Sequence, residues 1–157
     1  MQKITPCLWF DNNAEEAVNH YLAIFKNSKI NKFLRCGDAG PGPKGSILTI
    51  AFQLEGQDFI ALNGGPIFKF TEAISLSVDC KSQQEVDDLW EKLSDGGQKS
   101  QCGWLKDKFG LSWQVVPTAL IEMLQDQDAE KAKRVMAAMM QMSKIDIAML
   151  KQAYDRQ

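Results

Sequence analysis

The pattern that most restricts how this chain can fold is one that occurs twice. Residues 4–25, ITPCLWFDNNAEEAVNHYLAIF, run as a short apolar stretch, a polar break and an amphipathic helix, and residues 72–93, EAISLSVDCKSQQEVDDLWEKL, repeat that plan. At an offset of 67 to 68 positions Leu8 meets Ser75 or Leu76, Ala17 meets Glu85, Val18 meets Val86, Tyr21 meets Leu89 and Phe25 meets Leu93. Identities are few, but the apolar positions and the order of elements agree. A unit of this length present only twice points to two fused modules, because a solenoid needs at least three copies to bury its core.

Hydrophobic periodicity fills in each half. Residues 3–10 read as a strand. Asp11, Asn12 and Asn13 offer caps for a helix from Ala14 to Phe25, whose Ala14, Ala17, Val18, Tyr21, Leu22 and Phe25 recur at helical spacing. A strand over 29–36 stops at GDAGPGPKG, and SILTIAFQL (46–54) and QDFIAL (57–62) form a hairpin across Glu55 and Gly56. The first module, 3–63, is therefore βαβββ. The second, 72–117, is expected to start with a strand at Glu72, continue with a helix over Ser82–Ser94 stopped by Gly96 and Gly97, and finish with short strands near 98–101, 103–106 and 111–116, closed by Pro117.

Residues 118–154 contain no Gly or Pro and predict two or three helices, broken near Asp126–Asp128 and near Ser143. Met123, Met136, Met139, Met140, Met142 and Met149 enrich this appendage in flexible apolar side chains. That suits packing on the sheets, packing on a second subunit or an adaptable partner surface. The fold class is α+β, and a homodimer sharing the helical appendage is expected.

Composition narrows the function classes. With 157 residues, 45% of them hydrophobic, the chain can bury a proper core, and a formal net charge of −2 gives no electrostatic footprint for nucleic acid or an anionic membrane. No apolar run approaches the roughly 18 residues of a membrane span, and the opening residues lack a leader pattern, so a cytoplasmic location is expected. Cys7, Cys36, Cys80 and Cys102 are scattered without CxxC spacing and are expected to be reduced and mostly buried, with Cys102, near a turn, the thiol to probe for reactivity. His20 is the sole histidine and sits on a helix, which removes any Ser/His/Asp set built on a second imidazole.

Two βαβββ modules of about this length, together with ITPCLWFDNNAEEAVNHYLAIFKNSKI, LNGGPIFKFTEAISLSVDC and GWLKDKFGLSWQVVP, resemble the PhnB-like family of the vicinal oxygen chelate (glyoxalase and bleomycin-resistance) superfamily. Many members of that family carry the label 3-demethylubiquinone-9 3-methyltransferase. The resemblance implies a cup made from curled sheets, usually completed by dimerisation, with helices outside. In metal-dependent members of the superfamily four inward side chains hold one divalent ion. Carried onto this chain, those positions fall near Pro6, Ala61, Ala73 and Gln114, of which only Gln114 has a donor, so no metal is expected. The methyltransferase label is not matched by a Gly-rich strand-turn-helix: GDAGPGPKG, LNGGP and DGGQ all read as turns, and no cofactor is expected.

Strand alternation counted from those positions selects a lining. Leu8 and Phe10 share a face with Pro6, and Phe59 and Asn63 with Ala61. Ser75 and Ser77 follow Ala73, and Ser112 and Val116 accompany Gln114. Phe68, Phe70 and Trp104 add ring faces, and Trp113 has the opposite parity and belongs beneath a helix. Glu72 and Asp107 are the only carboxylates in the family-like stretches near the cup, and Asp107, between Lys106 and Lys108, reads as a solvated turn. The lining suits a small apolar or aromatic ligand. An enzyme of the same fold, including the labelled methyltransferase, and a structural or partner-binding dimer are the other two readings.

Overall fold

The computed structural model describes residues 2–156. The chain divides into two compact units, Met1–Phe70 and Thr71–Gln157. In the first, β1 (Cys7–Phe10) leads into α1 (Ala14–Ile24) and then a meander of β2 (Ser28–Arg35), β3 (Ile47–Leu54) and β4 (Gln57–Asn63). The sheet order is β1-β4-β3-β2, with β1 parallel to β4 and the remaining pairs antiparallel. Glu55 and Gly56 both take positive φ, 48° and 80°, the geometry of a two-residue hairpin whose twist matches its strands.

The second unit repeats the plan with β5 (Ser75–Cys80), α2 (Gln83–Ser94), β6 (Gln98–Lys99), β7 (Trp104–Lys106) and β8 (Ser112–Pro117), in the order β5-β8-β7-β6. It then adds α3 (Thr118–Leu124), α4 (Ala129–Met139) and α5 (Ile147–Asp155). Ser82 caps α2 by accepting from the Glu85 N–H, while the Glu85 carboxylate accepts from the Lys81 N–H, so the Ser-x-x-Glu sequence satisfies donors at both ends of the turn. Gly96 takes the left-handed φ of +74° just past α2. The mixed α+β class and the two four-stranded sheets agree with the reading from periodicity.

Boundaries differ at both module starts. The strand expected from residue 3 begins at Cys7, because Pro6 has no N–H for the ladder and contributes only its carbonyl, which accepts from Ile60. The strand expected from Glu72 begins at Ser75. Residues 71–74 instead make a turn in which the Thr71 hydroxyl accepts from the Ala73 N–H. The cap of α1 is also supplied differently. Asn13 is the capping residue by position but makes no side-chain capping bond, and the first helical N–H, that of Ala14, is met instead by Asn63 Oδ1 at 2.9 Å.

The helical appendage builds its own core. Leu120, Met123, Val135, Met142, Ile145 and Leu150 are buried together, and Val116 from β8 packs against them. The loop before α5 is anchored twice: Cys102 and Gly103 donate to the carbonyls of Met142 and Ser143, both at 2.8 Å, and Gln83 exchanges bonds with Ile145 O and Ile147 N. Met123 and Met142 are thus core residues of their own unit, whereas Met136, Met140 and Met149 are exposed. No helix among the described residues is long and apolar enough to cross a membrane.

Asn63 ties the last strand of the first sheet to the start of α1 and also donates to Ile47 O at 3.0 Å. Asn63→Ala strands both backbone groups and is expected to lower unfolding stability by roughly 1–3 kcal/mol, read from the midpoint of a urea transition. An unchanged midpoint would show that α1 does not need this cap.

Candidate functional site

In the second unit, pairing fixes which side chains share a face. Leu76, Trp113 and Leu105 form one row across β5, β8 and β7, and Val78 and Val115 another; α2 covers this face with Val86, Leu89, Trp90 and Leu93. The intervening positions point the other way. They form the rows Ser75–Ser112–Lys106 and Ser77–Gln114–Trp104, the first extended by Gln98 of β6. Ser75, Ser77, Ser112, Gln114 and Trp104, all singled out from the sequence, therefore lie on one face of one sheet.

A cleft of about 440 Å³ opens on that face. Its walls include Glu72, Gln98, Ser100, Trp104, Lys106 and Ser112, with Gln101 at the turn after β6. Three features define its chemistry. The indole of Trp104 is half-buried and supplies a flat apolar surface. Lys106 pairs with Glu72, and this hydrogen-bonded ammonium holds the Glu72 carboxyl below the usual carboxylate range. Ser112 is only 1% exposed, and its hydroxyl has no hydrogen-bond partner among the described residues. Nearby, Gln114 donates through Nε2 to Ser75 Oγ at 2.9 Å, so that pair is satisfied without a ligand.

The turn behind the cleft is held by Asp107, which the flanking lysines made look solvated. It is 2% exposed. Its Oδ1 accepts from the N–H groups of Phe109 and Leu111 at 2.9 and 3.0 Å, and its Oδ2 accepts from the Trp113 indole at 2.9 Å. A carboxylate taking three donors can tolerate burial, and in doing so it locks β7 to β8 and fixes the row that carries Lys106 and Ser112. Trp113, as its parity required, lies on the α2 side.

The first unit shows the opposite sidedness from the one counted from Pro6 and Ala61. Leu8, Phe10, Phe59 and Ala61 are buried on the face that α1 covers, and Asn63 points there to cap α1. The open face carries Cys7, Trp9, Thr49, Ala51, Ile60 and Leu62 instead. Phe70 packs edge-on against Phe10, whereas Phe68 is exposed and packs edge-on against Trp9. The Trp9 indole donates to Gly65 O at 2.9 Å and lies so close over residue 64 that a Cβ there would overlap the ring, which accounts for the glycine in LNGGP.

Residues 2–116 match the family profile described as 3-demethylubiquinone-9 3-methyltransferase. A solved PhnB protein from Bacillus cereus is 36% identical, covers 74% of this chain and 100% of its own, and superposes with a TM-score of 0.68. The chain belongs to the PhnB-like family of the vicinal oxygen chelate superfamily. The fold extends to a Pseudomonas aeruginosa protein (23% identity, TM-score 0.62, 74% of this chain and 98% of that one). It also extends to the fosfomycin resistance protein FosX of Listeria monocytogenes (16% identity, TM-score 0.51, 78% and 97%). No curated protein matches by sequence. The family profile ends at residue 116, so α3, α4 and α5 of this PhnB-like chain lie beyond it.

The groups implied by that membership do not fit the residues present. The polar side chains on the open face of the second sheet are hydroxyls, the amides of Gln98 and Gln114, a lysine and a single strand carboxylate, Asp79, which is engaged by Lys81 and Thr118 at the far end of β5, while Pro6 and Ala73 lie outside the strands. Neutral donors of this kind hold a hard divalent cation poorly, and no group of three His, Cys, Asp or Glu gathers among the described residues. None of the three glycine stretches opens a helix: 37–45 joins β2 to β3, Gly64 and Gly65 follow β4, and Gly96 and Gly97 follow α2. The anion-cradling turn of a nucleotide fold is thus not formed by them. Among the thiols of this PhnB-like chain, Cys36 and Cys80 are buried, and Cys80 is pushed up to about 12 by burial, with Glu85 and Asp79 adding to it. Cys102 is half-buried with φ of +59°, its N–H committed to Met142.

Asp107→Ala leaves an indole N–H and two backbone N–H groups without acceptors in the buried turn. It should lower unfolding stability by roughly 2–4 kcal/mol in urea titrations, with a larger loss than Asp107→Asn. Equal, small losses for the two variants would mean that the turn is held by other contacts.

Proposed function

We propose that this PhnB-like protein is a metal-free binding protein that takes a small ring-bearing molecule in the cleft of its second module. The observation that carries the reading is the Ser112 hydroxyl, buried without a partner in the wall of a cleft that also presents the Trp104 indole. A buried hydroxyl left unbonded costs free energy that a bound polar group recovers, and an indole face favours a flat apolar partner. The cleft volume falls in the range of ligand pockets, roughly 300–1,000 Å³. The proposal is confined to binding: the titratable groups among the lining residues, Lys106 and Glu72, are paired with each other.

A thermal-shift titration against 2-naphthamide and related ring compounds, S-adenosylmethionine, and Mn²⁺, Ni²⁺ and Zn²⁺ tests this. A ligand at ~100 times its dissociation constant adds about 2.7 kcal/mol, which moves the midpoint of a domain this size by several degrees. Ring compounds are expected to stabilise the protein, and Trp104→Ala is expected to abolish that shift. Stabilisation by S-adenosylmethionine, or by one equivalent of metal, with none from ring compounds would overturn the reading.

A further inference from the structure

We infer that the molecule taken by this cleft is an aromatic anion, a ring bearing a carboxylate or phenolate oxygen that Lys106 and Ser112 hold together. The inference rests on the cleft being a binding site, as proposed above, and adds the charge and orientation of what it binds. Lys106 and Ser112 are direct partners across β7 and β8 on the open face, positions whose Cβ atoms lie about 5 Å apart. Two donors, one cationic and one neutral, are therefore placed where a single pair of oxygens can receive both. Trp104 is two residues back along β7 on the same face, about 7 Å away. That is the separation between the centre of a fused aromatic ring and an acidic group attached to it.

Glu72 marks the place of the anion. In the ligand-free protein its carboxylate pairs with Lys106, yet it leaves the Ser112 hydroxyl unpartnered. It comes from the 71–74 turn ahead of β5, and its side chain is 57% exposed. An exposed pair of this kind holds weakly, so the carboxylate can move into water at small cost. A ligand oxygen that replaces it keeps Lys106 paired and also gives Ser112 an acceptor, which is the gain that drives the exchange. A cationic ligand has no equivalent gain, since it would have to draw Glu72 away while facing Lys106.

Calorimetric titration of the full chain with 2-naphthoate and its neutral isostere 2-naphthamide separates the two levels of the argument. Naphthoate is expected to bind at least about five-fold tighter than naphthamide, the factor of an ion pair in a half-exposed site. Glu72→Gln removes the competing carboxylate and should tighten naphthoate a further few-fold while leaving naphthamide unchanged. Lys106→Met keeps the aliphatic stem and should bring the two ligands to equal affinity, with naphthamide binding retained as proof of an intact cleft. Equal affinities in the unsubstituted protein, or a preference for naphthoate that survives Lys106→Met, would overturn the inference and leave the cleft as a neutral-ring site. If neither compound binds the unsubstituted protein, the cleft reading itself fails.

Discussion

In each unit, one helix laid across one face of a four-stranded sheet is the contact on which the remaining features depend. In the second unit α2 places Val86, Leu89, Trp90 and Leu93 on Leu76, Leu105, Trp113 and Val115. Each such side chain contributes about 1.5–3 kcal/mol when fully buried. A strand's side chains alternate, so covering one face commits every intervening residue to the other. Ser75, Ser77, Trp104, Lys106, Ser112 and Gln114 reach the open face for that reason alone.

Along that face sit a buried carboxylate and a buried hydroxyl with opposite fates. Asp107 is fully served by Phe109, Leu111 and Trp113, and it stiffens the turn between the two strands that carry Lys106 and Ser112. Ser112 is left without a partner among the described residues. Native proteins rarely keep such a group without a reason, and the cleft beside it provides one. The open face of the first sheet, with Trp9, Ile60 and Leu62 in the positions matching Ser77, Ser112 and Gln114, is apolar by comparison. Two sheets of the same topology thus carry different surface chemistry.

The element order was legible because helical and strand periods are local, and Pro117 and the Asp126–Asp128 break mark real ends. Sidedness was less legible in the first sheet. Leu8, Phe10, Ile50, Phe52, Leu54 and Phe59 share the helix-covered face, but Trp9, Ile60 and Leu62 make the open face apolar as well, so alternation alone does not name the covered side there. Counting from the ligand positions of metal-dependent relatives put that core into the pocket, because Ala61, paired with Leu8, itself lies on the covered face, one residue out of step with the open one. In the second sheet both ways of counting agree, since the serines and Gln114 alternate with Leu76, Val78, Trp113 and Val115. The buried Asp107 was hidden by its lysine neighbours. The Asn63 cap, reaching Ala14 from 49 residues away, is a tertiary contact that no local pattern carries.

The four tryptophans offer the most direct check on where a ligand binds. Trp90 and Trp113 are buried on the helix side of the second unit, Trp9 is held by Gly65 O in the first, and Trp104 alone lines the cleft. In a ¹⁵N–¹H correlation spectrum each gives a separate indole resonance. On titration with 2-naphthoate the account predicts that the Trp104 indole signal shifts progressively to saturation while those of Trp9, Trp90 and Trp113 stay in place. A saturable shift at Trp9, with Trp104 unmoved, would contradict it and place the ligand on the first module.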